Sequence, residues 1–325
     1  MSHPGFTPAL LETLLPPIRR ARDYYLYTYD RRRIVDLYRC GGAALLGYRP
    51  ARVAHAEKQR LSEGLSAALP SVYGARLQRA LAELLPACPH VRLFAGLDAA
   101  LQALSAAGWH QVFDQAFAPR SDAPADAAPR HSAAAGGVIL WRPFLRPPQS
   151  ALVLPRLPYP AAYAPQPLCC AADPDAALAS QAVSPLALAG AIQALAAWRT
   201  AVRERGELLR AAASPPAARR RRRKPPQRPE RVVPELELAR GAGAAAAAAA
   251  TDCSAADCAV PAGIWLRRGP YLTSELDEAA YRELFERFLD NGILIAPRST
   301  EPTILPQTMS PGEFKLFAKL SKISV

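Results

Sequence analysis

The spacing of apolar residues in the first third of the chain predicts a hairpin followed by two helices. Runs of β-branched and aromatic residues at 24–28 and 33–37 flank the turn at 30–32 and are typical of paired strands. Apolar residues then recur at helical spacing over 50–69 and again over 72–85. The pattern therefore changes from sheet to helix early in the chain.

A strand, a glycine turn and a helix come next, and this unit is the main candidate for a binding site. Residues 91–95 form a short apolar run that Gly96 breaks, and Asp98 is the expected cap of the following helix. A helix N-terminus favours anions through its free N–H groups and its dipole. Two interpretations of Gly96, Leu97 and Asp98 follow, a phosphate-binding turn and an ordinary strand-to-helix turn. The residues alone favour the ordinary turn.

The rest of the chain repeats this alternation around a region rich in proline. Apolar runs at 138–141 and 151–154 predict buried strands, whereas the prolines of 143–174 exclude a long helix there. A serine cap and a first-turn proline open a long helix at 184–209. The last elements that the pattern predicts are strands at 264–266 and 293–296 and helices at 276–289 and 311–323.

This alternation predicts an α/β main domain and a small C-terminal α/β subdomain. We divide the chain into residues 1–213, residues 214–258 and residues 259–325. The middle segment is an Arg/Pro block followed by a run of alanines, with very few large apolar side chains. Such a segment cannot offset the cost of ordering its backbone, about 1–2 kcal/mol per residue. We expect a disordered linker that is not part of the core.

The net charge of +12 is concentrated in this linker. Residues 214–231 hold eight basic residues and one acidic residue, a net charge of +7, which leaves +5 for the rest of the chain. No aromatic residue that could stack on bases interrupts the basic run, so we do not expect it to read a nucleic-acid sequence. Two interpretations stay open, a solvated insertion and non-specific contact with a polyanion. The residues concerned are Arg219, Arg220, Arg221, Arg222, Arg223 and Lys224.

Other classes of protein are disfavoured by the composition. The first 15 residues lack the basic start and apolar core of a secretion signal, and no window holds 18 uninterrupted apolar residues. The six cysteines and five histidines have no metal-ligand spacing. We therefore expect a cytoplasmic protein with reduced thiols and without a metal site.

Several segments, in the right order, resemble class-III aminotransferases of the glutamate-1-semialdehyde aminotransferase type. Residues 24–36 (YYLYTYDRRRIVD) and 41–50 (GGAALLGYRP) are similar to the family's entry hairpin and its glycine-rich loop. Residues 91–99 (VRLFAGLDA) resemble the strand and turn that hold the cofactor phosphate. Residues 184–191 (SPLALAGA) are similar to the start of a long helix, and 281–297 to the closing helix and strand.

The resemblance implies an α/β fold of the pyridoxal-phosphate transferase type, with a large domain and a small C-terminal subdomain. It also implies a homodimer, a vestigial phosphate turn at Gly96, Leu97 and Asp98, and pyridoxal phosphate as the possible cofactor. Only residues 109–183 connect the second and third matching segments, about half of what the family needs. The central sheet of the large domain should therefore be reduced.

The catalytic residues of the family have no counterpart in the sequence. A transaminase holds its cofactor through a lysine upstream of the long helix, yet no lysine occurs between Lys58 and Lys224. The family's strand that ends in an aspartate corresponds here to residues 138–141, followed by Arg142 and Pro143. No carboxylate is therefore present to keep the cofactor ring protonated.

Two functional hypotheses follow from the resemblance and from these departures. The first is a structural or regulatory aminotransferase-like protein without transaminase activity, without catalytic residues and without a cofactor. The alternative is a residual pyridoxal-phosphate-dependent transferase or aminomutase-like enzyme, or a binder of another phosphorylated small molecule. Fold resemblance alone does not decide between them.

Overall fold

A computed structural model describes residues 8–117, 137–174, 178–213, 264–306 and 309–322, without the side chains of 8–10 and 205–213. The linker expected at 214–258, with its basic run Arg219–Lys224, lies outside the described residues.

A hairpin-rich start and three helices precede the central sheet. The elements, in chain order, are α1 (Pro8–Leu14), β1 (Ile18–Arg22), β2 (Tyr25–Thr28), β3 (Arg33–Asp36), a 3-10 turn (Arg39–Gly42), α2 (Ala51–Ser62), α3 (Val72–Leu84), β4 (His90–Phe94) and α4 (Leu97–Ala106).

The remaining strands of the central sheet follow, and the chain closes with short strands and two helices. These elements are β5 (Val112–Asp114), a second 3-10 turn (Gln115–Phe117), β6 (Val138–Trp141), β7 (Leu152–Pro155), β8 (Gln166–Cys170), α5 (Pro185–Ala213), β9 (Leu266–Arg268), β10 (Tyr271–Thr273), α6 (Glu278–Asp290), β11 (Ile293–Leu294), β12 (Thr303–Ile304) and α7 (Pro311–Leu320).

The central sheet has five strands in the order β4-β8-β7-β6-β5. Strands β5, β6 and β7 are parallel, while β8 is antiparallel to both of its neighbours, so β4 runs in the same direction as β5 to β7. All residues of β7 and β8 are buried, as expected for a sheet covered on both faces. The carboxyl ends of β4, β5, β6 and β7 therefore lie at one edge of the sheet.

Helices cover the two faces of this sheet and form a three-layer α/β domain. On one face, Leu104 of α4 packs in a buried cluster with Leu140 and Leu154. On the other face, Trp198 of α5 meets Trp141 edge to face, with ring centroids 5.7 Å apart. Helices α2 and α3 complete that second layer through Val53 of α2 and the buried leucines of α3. The fold is the mixed α/β architecture that the sequence predicts, with a reduced central sheet.

A second core lies around the sheet β1-β2-β3-β11, in which the C-terminal strand β11 pairs in parallel with β3. Helices α6 and α7 pack on this sheet through Phe288 and Phe317, both fully buried, and Trp265 stacks on Phe317 at 5.9 Å. The three-stranded sheet β12-β10-β9 joins the two cores. Tyr271 of β10 belongs to the large core, and its hydroxyl donates to the Pro143 carbonyl at 2.8 Å.

Most predicted elements are confirmed, and the differences have physical reasons. Helix α2 ends at Ser62, short of the predicted 69, and the chain continues to α3 as a turn. The prediction that Asp98 caps α4 is wrong, because the N-cap position is Gly96 and Asp98 lies exposed in the first turn. Strand β8 was not anticipated in the proline-rich region, where Pro167 is accommodated between two strands.

No helix in the described part of the chain combines the length and the apolar character needed to cross a membrane.

Contacts at the start of α7 make the stability of the second core depend on pH. Ser310 and Glu313 form a capping box, and Glu313 also accepts a hydrogen bond from the Tyr25 hydroxyl at 3.1 Å. Burial raises the pKa of Glu313, but hydrogen bonds from Ser310 and Tyr25 and the charge of Arg33 outweigh it, so the pKa is lowered. Because its pKa is lowered, the ionised Glu313 stabilises the folded state at pH values above about 4.3, the ordinary pKa of the carboxyl. This contribution is lost as the pH falls into the acid range.

We expect Glu313→Gln to lower the free energy of unfolding by about 1 kcal/mol at pH 7. The difference from the wild type should shrink as the pH falls below about 4, since both side chains are then neutral. Urea denaturation of both proteins at pH 7 and pH 3 measures this difference in the free energy of unfolding. The exposed Glu283 of α6 provides the control variant Glu283→Gln, whose effect should be small at both pH values. An equal loss for Glu313→Gln at both pH values would contradict the explanation.

Candidate active-site cleft

A cleft opens at the edge of the central sheet where the parallel strands end. In an open α/β sheet, ligands bind outside the carboxyl ends of the strands. The cavity has a volume of about 20 Å³, is open to solvent on one side, and is lined by Gly41, Leu97, Asp114, Leu140, Arg142, Arg156, Thr300 and Glu301. Three of these are charged residues at strand ends, because Asp114 ends β5, Arg142 follows β6 and Arg156 follows β7.

The first strand-end arginine is held by a buried ion pair. Arg142 is 4 % exposed, and its Nε and Nη2 donate to the two carboxylate oxygens of Asp114 at 2.7 and 2.5 Å. Its Nη1 donates to the Gly41 carbonyl at 2.8 Å. Burial alone would lower the pKa of Arg142, but the charge and hydrogen bonds of Asp114 raise it. The donors of this guanidinium are therefore directed at the protein.

The second strand-end arginine has fewer partners. Nη2 of Arg156 donates to the Cys40 carbonyl at 3.0 Å, and no carboxylate of the described residues lies within 4.0 Å. Burial and the neighbouring charge of Arg142 lower the pKa of Arg156, although a guanidinium stays charged at neutral pH. Arg156 therefore keeps a positive charge in the cleft without an ion pair to the described residues.

The loop that provides both carbonyl acceptors has an unusual backbone. Four consecutive residues, from Arg39 to Gly42, have positive φ angles of 51°, 50°, 62° and 97°. The Asp36 carboxylate supports this turn by accepting hydrogen bonds from the backbone N–H groups of Tyr38 and Arg39, both at 2.9 Å. A Cβ at Gly42 would lie 3.0 Å from Nη1 of Arg142, so glycine is required for the close approach. Left-handed non-glycine residues are strained and cluster at functional sites.

A buried glutamate faces the arginines from the C-terminal part of the chain. Glu301 is 8 % exposed, and its Oε1 accepts a hydrogen bond from the Tyr38 hydroxyl at 3.2 Å. Its Oε2 is buried without a hydrogen-bond partner. Burial raises the pKa of Glu301, although the hydrogen bond from Tyr38 and the charges of Arg142 and Arg156 act in the opposite direction. The cleft therefore contains an unpartnered acceptor atom.

The vestigial phosphate turn lies at the same edge, since β4 ends beside the other strands. Leu97 lines the cleft, whereas Asp98 is exposed. The backbone N–H of Ala95, which precedes Gly96, donates to the side-chain oxygen of Gln181 at 3.1 Å. A phosphate would have to compete with this bond. The structure thus places Gly96 and Leu97 beside the cleft but does not test a phosphate there.

The cleft residues do not fit pyridoxal phosphate. Pockets for molecules of that size measure about 300–1,000 Å³, whereas this cavity measures about 20 Å³. Of the lysines in the described residues, Lys58 lies on α2, Lys315 and Lys319 on α7, and Lys322 after it. None of these four lines the cleft. The groups at the ends of β6 and β7 are guanidiniums, which do not form the lysine Schiff base of a transaminase.

Of the charged residues in the cleft, Arg142 is the one singled out from the sequence, whereas Asp114, Arg156 and Glu301 are not. Arg156 was detectable in principle, because it lies two residues after the predicted buried strand 151–154, whose end faces the site. Nothing local distinguishes Glu301, which reaches the cleft only through the pairing of β12 with β10. Among the described residues, no group of three or more His, Cys, Asp or Glu side chains could hold a metal ion.

Comparison with known proteins gives one relative over most of the chain. No family model matches the sequence. An uncharacterised protein of Treponema pallidum is 32% identical over 300 residues, which cover 89% of this chain and 88% of that protein. A shorter match, 46% identical over 59 residues, covers 18% of this chain and 22% of an uncharacterised protein of Borreliella burgdorferi.

Solved structures identify the fold. The β-phenylalanine aminotransferase from Variovorax paradoxus superimposes with a TM-score of 0.53 at 13% identity, covering 93% of this chain and 85% of the enzyme. The ornithine aminotransferase from Toxoplasma gondii gives a TM-score of 0.55 at 12% identity and covers 96% and 92%. At such low identity the likeness shows the fold alone. The chain therefore belongs to the family of the Treponema pallidum protein and has the fold of the pyridoxal-phosphate-dependent class-III aminotransferases.

Proposed function

We propose that this protein is an aminotransferase-fold protein that does not transaminate and has a structural or regulatory role, as a cytoplasmic homodimer. One observation supports this more than any other. At the ends of β6 and β7, where the strands deliver side chains to the cleft, the chain has Arg142 and Arg156. An amine can form a Schiff base with a carbonyl and a carboxylate can pair with a pyridine nitrogen, but a guanidinium does neither.

The ion pair between Arg142 and Asp114 supports the same proposal. A transaminase needs an open cavity at this edge, and here the bidentate pair occupies it. The Gly41 and Cys40 carbonyls accept from the two arginines and hold the glycine-rich loop against the strand ends. These internal hydrogen bonds fill most of the space at the strand ends and leave a cleft too small for the cofactor.

The purified protein is expected to show no exchange of amino groups between common amino acids and 2-oxo acids above a blank. Added pyridoxal phosphate should leave no absorbance band that survives dialysis and disappears with borohydride. A known class-III aminotransferase under the same conditions provides the positive control for both assays. Amino-group exchange above the blank would overturn the proposal, and so would a stable, borohydride-sensitive band, since that requires a lysine in the site.

A further inference from the structure

The charged groups of the cleft are not fully used by the protein. Each of the three nitrogens of Arg142, Nε, Nη1 and Nη2, donates to an acceptor in the protein. Arg156, half-buried beside it, has the Cys40 carbonyl as its acceptor in the described part of the chain, which leaves its Nε and Nη1 free. A buried or half-buried charge is costly unless it is paired. A bound anion would pair with the guanidinium of Arg156 and offset this cost.

Glu301 adds a second unused polar group to the lining of the cavity. Its side chain is more than nine-tenths buried, and its Oε2 has no hydrogen-bond partner. Leaving such an oxygen unsatisfied costs about 1–3 kcal/mol, and more if it is charged. Arg156 and Glu301 both line the cavity, but their charged atoms lie more than 4.0 Å apart and do not form an ion pair. A group that enters the cavity can contact both.

We propose that the cleft binds a small oxyanion that carries a hydroxyl group, with Arg156 pairing with the anionic oxygens and Glu301 accepting from the hydroxyl. The proposal assigns a ligand class to the cleft and rests on the proposed function in one respect only, that pyridoxal phosphate does not occupy it. Two kinds of molecule share this chemistry, an α-hydroxycarboxylate and a hydrogen phosphate group.

Size and charge restrict the ligand further. A volume of about 20 Å³ corresponds to about one water molecule, so one oxygen of the ligand takes the place of that water and the rest of the ligand lies at the open side. Asp114 does not repel the anion strongly, since its charge is neutralised by the bidentate contact with Arg142. Burial also raises the pKa of Glu301, which reduces the negative charge beside the ligand.

The hydroxyl requirement can be tested with two pairs of simple anions. Glycolate and acetate differ by one hydroxyl, and at pH 6 phosphate carries hydroxyl groups whereas sulfate carries none. Titration calorimetry on the wild-type protein, first shown by its absorbance to be free of pyridoxal phosphate, gives the four dissociation constants. We expect the hydroxylated member of at least one pair to bind about tenfold more tightly, as one additional hydrogen bond to a buried carboxyl group allows.

The pair that shows the preference identifies the source of the head group, a hydroxycarboxylate or a phosphate. Glu301→Leu should abolish the preference while leaving weak binding of the anion. Arg156→Gln should abolish binding of all four anions. Arg199→Gln on α5 is a matched control, because Arg199 also donates to a backbone carbonyl, that of Ala80 at 2.7 Å, and should not change binding.

Three results would overturn the proposal: no binding up to about 50 mM, equal binding within both pairs, or unchanged binding in Arg156→Gln. If Arg156→Gln does not fold, the wild-type pairs and Glu301→Leu still decide. The outcome is separable from that of the transaminase assay. A protein that exchanges no amino groups and binds both members of each pair equally would contradict this site but not the proposed function, whereas amino-group exchange would contradict the proposed function itself.

Discussion

Replacing Asp114 with alanine should destabilise the protein by about 3–5 kcal/mol, because it leaves a buried guanidinium without its counter-ion. Arg142 is 4 % exposed and receives both of its closest acceptor atoms from Asp114. After the substitution, the Gly41 carbonyl would be the remaining hydrogen-bond acceptor of Arg142 among the described residues. Chemical denaturation followed by tryptophan fluorescence, to which Trp141 beside Arg142 contributes, measures the loss.

Two further variants test the cause of this loss. Asp173 pairs with Arg92 at 2.7 Å, but its side chain is 70% exposed, so Asp173→Ala should cost less than about 1 kcal/mol. The double variant Asp114→Leu with Arg142→Met removes both charges and should be more stable than Asp114→Ala, as replacing a whole buried pair by apolar groups often is. A double variant that is no more stable than the single one would show that the uncompensated charge is not the cause.

Replacing Phe288 with alanine should have a similar effect, a loss of about 3–5 kcal/mol, in the second core. Phe288 is fully buried on α6, and its ring lies 5.3 Å from that of Phe317 and 6.4 Å from that of Trp265. Removing the ring leaves a cavity between α6, α7 and the small sheet. Because Trp265 borders that cavity, its fluorescence should respond at a lower denaturant concentration than in the wild type.

The matched control for this variant is Phe113→Ala. Phe113 lies on β5 and is 48% exposed, so its truncation should cost clearly less than that of Phe288. If both variants lose the same stability, burial of the ring in the second core does not explain the effect. If Phe288→Ala leaves the denaturation midpoint unchanged, the second core does not unfold cooperatively with the rest of the protein.

The sequence predicts the fold well where the pattern is local. The hairpin of β2 and β3, the helix that Ser184 and Pro185 open, and the stop at Asn291 and Gly292 depend on turn and capping chemistry within a few residues. Strand β8 was missed because its prolines contradict strand propensity, while its burial comes from long-range pairing with β4 and β7.

The site is predictable only in part, for the same reason. That Arg142 follows a buried strand is visible in the sequence, and so is the absence of lysine from 59 to 223. The pairing of Arg142 with Asp114 depends on the register of β5 with β6, and the approach of Glu301 depends on β12. Both are set by contacts between distant segments, which local patterns do not encode.

The pairing of β3 with β11 has a consequence for how the protein is made. Val35 pairs in register with Ile293, so the small sheet joins segments that lie more than 250 residues apart in the chain. Strands β1, β2 and β3 are synthesised before their parallel neighbour β11 and the covering helices α6 and α7. Domains otherwise tend to fold from the N-terminus during synthesis, at about 5–20 residues per second. The apolar face of the hairpin formed by β2 and β3 therefore stays exposed until α6, β11 and α7 have been synthesised. Any truncation near the C-terminus would leave it permanently uncovered.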